Sequence, residues 1–114
     1  MSNSITPYDG SVTPSELNAE TDVVNITDTD FYIQGYIDLS VLQSGDEVVI
    51  KEYIVIESGG SPILYGKRTF TGVQEEPLLR FHNKMVPYGY KVTITQTAGT
   101  LRTFKYSFRK VKIT

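Results

Sequence analysis

Cysteine is absent from these 114 residues, which excludes disulfides, thiolate metal sites and cysteine nucleophiles. Histidine occurs once, as His82, so a histidine pair and the commonest metal-ligand clusters are excluded too. Trp is missing, and the aromatic content is eight Tyr and five Phe, a supply that favours strands over helices. No apolar run approaches the ~18 residues that would carry a helix across a bilayer, so no membrane partner is expected. The first residues, Met1 to Tyr8, have neither the basic region nor the apolar stretch of a signal peptide, and none is expected. No helical periodicity supports a parallel βαβ arrangement.

Charge of one sign is missing from each end. Residues 1–30 hold six acids (Asp9, Glu16, Glu20, Asp22, Asp28, Asp30) and no Lys or Arg. Residues 84–114 hold seven bases (Lys84, Lys91, Arg102, Lys105, Arg109, Lys110, Lys112) and no acid. The formal net charge of −2 therefore hides a −6 end and a +7 end. One end should seek the other, within the molecule or between copies.

What is present is alternation. Phe31, Ile33, Gly35, Ile37, Leu39 and Val41 share one parity, and Tyr32, Gln34, Tyr36, Asp38 and Ser40 the other, as in a half-buried antiparallel strand. Gly35 marks a bulge or a close backbone approach. Residues 47–57 read as a central strand with Val48, Ile50, Ile54 and Ile56 on one face. The turn Ser58-Gly59-Gly60-Ser61-Pro62 sends it into a hairpin partner from Ile63 to Phe70. Further strands are expected at 21–27, 78–83, 90–97 and 101–113. In 90–97 Tyr90, Val92, Ile94 and Gln96 point inward. Ala98-Gly99-Thr100 reads as a tight hairpin into the last strand. Phe104, Tyr106 and Phe108 are out of phase there with Val111 and Ile113, which predicts a bulge near Arg109-Lys110.

This spacing predicts an all-β antiparallel sandwich of about seven to eight strands, immunoglobulin-like or jelly-roll-like. Tyr88 or Tyr90 is a candidate tyrosine corner. The domain plan is an extended acidic N-terminal arm over 1–20 and a single sandwich over 21–114. Only Pro14 to Glu20 could form a short helical turn within the arm.

Candidate chemistry is sparse. His82 lacks a neighbouring nucleophile or orienting group and reads as a surface histidine. Asp28-Thr29-Asp30 opens like a calcium loop, but Tyr32 and Ile33 follow where oxygens and a glycine are required, so a β-turn is expected. Adjacent Glu75 and Glu76 point apart and cannot form a glycosidase pair. Asn25-Ile26-Thr27 is a formal glycosylation acceptor without a route to that machinery. No catalytic residue, cofactor or metal ligand is assigned, and the chain is not expected to be an enzyme.

Three surfaces remain. Exposed ion pairs at ~0.2–1 kcal/mol each do not hold an arm in place, so Ile5, Tyr8, Val12 and Leu17 are its candidate anchors on a partner, helped by strand addition to a free sheet edge. Lys91, Arg102, Lys105 and Arg109 are a candidate basic outer face. Bases interleaved with Phe104, Tyr106 and Phe108 have the composition of a nucleic-acid platform, but the shared aromatic phase and the overall acidity count against it. A glycan or receptor platform built on Tyr32, Tyr36, Tyr65 or Tyr88 is the alternative.

Arm, cysteine-free sandwich and Tyr- and Thr-rich outer faces together resemble small β-sandwich structural proteins of virus particles. Leu79-Arg80-Phe81-His82 and Tyr90-Lys91-Val92-Thr93-Ile94-Thr95-Gln96-Thr97-Ala98-Gly99-Thr100-Leu101-Arg102 look like small proteins of phage and environmental virus genomes. The resemblance implies a capsid decoration, minor capsid or tail-associated role in the virion after synthesis in the host cytoplasm. Its partners would be further copies or a major capsid or tail protein.

Overall fold

The computed structural model describes residues 3–113, and all of the regular structure there is β. The strands are β1 (Asn3–Val12), β2 (Thr21–Thr27), β3 (Phe31–Asp38), β4 (Glu47–Val55), β5 (Ile63–Thr71), β6 (Leu78–Val86), β7 (Gly89–Ala98) and β8 (Phe104–Ile113). Sheet I has the order β1-β8-β3-β6 and sheet II the order β2-β7-β4-β5, every pair antiparallel. The pairings β1 with β8, β2 with β7, β3 with β6 and β4 with β5 are those of one long hairpin rolled up on itself. That is a jelly roll. The immunoglobulin-like alternative, which sets the first strand beside the second, is thereby removed.

The alternation read from the sequence builds the core. Phe31, Ile33, Ile37 and Leu39 are buried, Tyr32 and Tyr36 exposed, and Val41 half-buried. Tyr90, Val92, Ile94 and Gln96 all point inward. Gly35 is both things expected of it. The β3–β6 register shifts between Ile33 and Gly35, and a Cβ at Gly35 would lie 2.3 Å from the Phe108 ring. Phe108 in turn packs 5.1 Å from Phe81, centroid to centroid, at the middle of the sandwich.

Several local expectations are corrected. Residues 3–12 pair with β8 along their whole length as the edge strand of sheet I. Backbone bonding supplies the order that their polar composition does not. Ser15–Asn18 form a bend and turn without helix, with Asn18 at a φ of 69°. Gly99 does not close a hairpin, because β7 and β8 belong to different sheets and residues 99–103 cross between them. No bulge breaks β8 either, since its registers with β1 and β3 are continuous. The phase change there has another origin. Val111 and Ile113 face outward, and the inward parity passes to Lys110 and Lys112 beyond the apolar core. Ile56 lies past the end of β4 and is exposed. Neither tyrosine forms a corner: Tyr90 points inward and its hydroxyl bonds a carboxylate, and Tyr88 is half-buried with no hydroxyl bond among the described residues.

Candidate assembly surfaces and the charges that frame them

Rolling one hairpin brings the two ends of the chain together, and the sorted charges meet there. Arg109 donates to Asp9 at 2.6 Å across the β1–β8 pair, and the Ser107 hydroxyl donates to the same oxygen at 2.6 Å. Asp28, on the β2–β3 loop, accepts from Lys110 at 2.7 Å and from Lys112 at 2.6 Å. These lysines hold the Asp28 carboxyl far below the usual carboxylate range, with the Thr29 amide helping. In place of the expected β-turn, the chain bends at Thr29 and Asp30 without closing a hydrogen-bonded turn. The Thr29 amide donates to Asp28 Oδ1 and the Asp30 amide to the Pro87 carbonyl, and Asp28 clamps this end of the sandwich. Acid meets base within one copy.

The opposite end is tied by Asp46, only 1% exposed. Its carboxylate accepts from Arg102 Nε at 2.8 Å, from the Gln43 amide at 2.9 Å and from the Thr100 amide at 3.2 Å. The Arg102 bond leads in lowering the Asp46 pKa. Gln96 completes the knot by donating to the carbonyls of Ala98 and Thr100 and accepting from the Arg102 amide. At the start of β2, Glu20 accepts from Tyr53 at 2.5 Å and from Thr93 at 2.6 Å. Hydrogen bonds from Thr93 and then Tyr53 lower its pKa.

A charged cluster also lies between the sheets. Glu52 on β4 accepts from the Tyr90 hydroxyl at 2.6 Å and pairs with Lys84 of β6 at 3.1 Å. Lys84 also donates to the His82 carbonyl and stands 5.4 Å from the Tyr90 ring centre. Burial first, and the Glu52 charge second, push the Tyr90 hydroxyl pKa strongly upward. Glu52 escaped the sequence reading, although it occupies the inward parity between Ile50 and Ile54. Such a group, paired on its Oε2 and enclosed, locks the register of the two sheets.

The residues singled out in the sequence are dispersed. Tyr8 and Val12 pack half-buried against the core, whereas Ile5 is 63% exposed on the outer face of sheet I and Leu17 is exposed in the β1–β2 loop. Lys105 and Arg109 lie on the outer face of sheet I. Arg102 is bound to Asp46, and Lys91 stacks 4.8 Å from the Tyr53 ring centre on sheet II. The four do not form one basic face. Tyr32 and Tyr36 share the outer face of sheet I, with Tyr65 on β5 and Tyr88 between β6 and β7. His82, Glu75 and Glu76 are exposed. A shallow groove of about 410 Å³ lies on sheet II, where Asn25, Tyr53, Tyr88 and Lys91 surround the buried Gly89.

No protein-family model matches the sequence, and no curated protein matches it. Solved structures do match. The fold is a jelly roll that structures from a virus share. The structure of infectious bursal disease virus, Gx strain, superposes on 99% of this chain with a TM-score of 0.57 and 15% identity. A mutant VP2 protein of the same virus, in T=1 particles, covers 96% with a TM-score of 0.55 and 14% identity. The VP2 subviral particle gives a TM-score of 0.50 over 96% of the chain at 14% identity. This chain spans about a third of those proteins, 33% and 31% for the first two. At such identities the likeness is one of fold.

Proposed function

We propose that this chain is a non-enzymatic structural protein of a virus particle, packing against further copies of itself as a decoration, minor capsid or tail-associated subunit. The observation that carries this reading is the strand order β1-β8-β3-β6 over β2-β7-β4-β5, matched across 99% of the chain by a virus structure. Three features support it. The acidic end is held by the basic end within each copy, so a rigid block is ready to pack. Ile5 and Leu17, at either end of the proposed arm, keep apolar surface outside the core. The bases that a nucleic-acid platform would need are largely engaged by Asp9, Asp28, Asp46 and Glu52. Sedimentation of the purified chain over rising concentration, with electron microscopy of any large species, tests the proposal. Discrete oligomers or closed particles are expected, and a monomer at every concentration overturns it.

A further inference from the structure

The outer face of sheet I is arranged in rows by its cross-strand register. One row reads Ile5, Val111, Tyr32, Met85 from β1 across to β6. Ile5 is 63% exposed, Met85 49% and Tyr32 38%, and Ile113, also outward on β8, adds another exposed side chain. The outward positions of a solvated antiparallel sheet are ordinarily polar. An apolar row running the whole width of the sheet instead marks a contact surface.

The charges of the same face are placed just as regularly. A second row reads Asp9, Ser107, Tyr36, Arg80. Arg80 is exposed and forms no ion pair among the described residues. Further along, Asp38 ends β3 close enough to Lys105 for that charge to help the Ser40 hydrogen bonds lower its pKa.

We infer that this face pairs with the same face of a second copy, about a two-fold axis lying in the interface and running along the strands between β8 and β3. That operation lays β1 on β6 and β8 on β3 of the other copy. Ile5 then opposes Met85 and Val111 opposes Tyr32. Asp9 opposes Arg80, and Lys105 opposes Asp38. Apolar meets apolar, and the Asp9–Arg80 and Lys105–Asp38 charges meet their opposites. Arg109, already held by Asp9, faces the neutral Gln34, so no like charges are opposed across this isologous interface. A two-fold crossing the strands at right angles through the middle of the face, at the level of Gly35 and Phe108, instead lays the Val111–Tyr32 row over Lys105 and Asp38, burying charge against apolar groups. Two sheets packed face to face at about 30° fit the favoured axis, which bisects their strand directions. Four strands about 4.8 Å apart and roughly eight residues long cover some 500 Å² in plan, and side-chain relief brings this toward the ~800 Å² per partner of a stable interface. The occupant rests on the proposed assembly reading, and the face itself rests on the register.

Because the chain lacks cysteine, introduced thiols test the geometry cleanly. Ile5 and Met85 are three strand spacings apart within one copy, about 14 Å. A bismaleimide too short for that span can therefore join Ile5→Cys to Met85→Cys only between copies. The double variant should yield covalent dimers, and either single variant little. Met85→Glu should weaken self-association at least tenfold in sedimentation while its thermal melt stays close to the parent's. If the chain self-associates but the double variant does not cross-link, or Met85→Glu associates as before, the inferred face is wrong and the assembly reading stands. If the parent chain never associates, both fall.

Discussion

Lys84 is the side chain on which the buried cluster turns. Its ammonium is the counter-charge of Glu52, and both side chains are only 11% exposed. Lys84→Met leaves a buried carboxylate with one tyrosine hydroxyl, and breaking such a pair costs about 3–5 kcal/mol. The triple change Lys84→Met, Glu52→Leu, Tyr90→Phe removes the charge and the orphaned hydroxyl together and should recover most of that loss in urea melts. A triple variant no more stable than the single one would show that the cluster is not the source of the penalty. Gly99 tests the other end of the molecule. Its φ is +88°, and a Cβ there would stand 2.0 Å from Asp46 Oδ1. Gly45 has a φ of +94° with open space around its Cβ position. Both alanine variants carry backbone strain, but only Gly99→Ala displaces the carboxylate that receives Arg102 and Thr100. Gly99→Ala should be the costlier change by more than ~1 kcal/mol. Equal melting points for the two would remove Asp46 from the explanation.

At the scale of the element, β1 combines long pairing with little burial. Ten residues align with β8, yet only Tyr8 and Val12 pack against the core. Removing residues 1–12 should leave a folded but less stable sandwich whose β8 edge is open. A peptide of residues 3–12 supplied in trans should bind that edge and raise the melting temperature, by the same strand addition seen within the chain. Fluorescence anisotropy of a labelled peptide measures it, and absence of binding to a folded truncated protein would refute it. β1 also shows where sequence reading stops. Strands with one apolar face, such as β3 and β7, announce themselves by period two. The Ser, Thr and Gly of β1 carry no such signal, so its order depends on an edge offered by a strand about 100 residues later. The long-range ties were hidden for the same reason. Lys110 and Lys112 looked like a break in the phase of β8 because their partner, Asp28, lies on a distant loop. Glu52 was within reach of parity alone, since it continues the inward series of Val48 and Ile50. Choosing jelly roll over immunoglobulin-like order needed the pairing, which local alternation does not encode.

For the whole molecule, sorted charge becomes a dependence of stability on pH. The carboxyls of Asp9, Asp28, Asp38, Asp46 and Glu20 all have folded pKa values below their ordinary ones, each mainly through hydrogen bonds to the ionised form. As pH falls, the unfolded chain therefore takes up protons first. The stabilisation is complete above the ordinary carboxyl range of ~3.9–4.3 and drains away as pH drops through the lowered folded values. On the alkaline side the signs reverse. Lys110, paired with Asp28, and the tyrosines Tyr53 and Tyr90, bonded to Glu20 and Glu52, have raised values. Their contribution is whole below ~10 and lost as pH rises through the folded values. Urea midpoints should thus form a plateau from about pH 5.5 to about 9 and fall on both sides. Asp28→Asn should lower the plateau and flatten the acid limb, because the group that ties both lysines no longer titrates. Added salt should shrink the part owed to the exposed Asp9–Arg109 pair more than the part owed to Asp46, which is shielded from ions by its burial. A midpoint that climbs toward acid pH would mean that these carboxylates are held against their charge, and that acid and base do not clasp the two ends of this chain together.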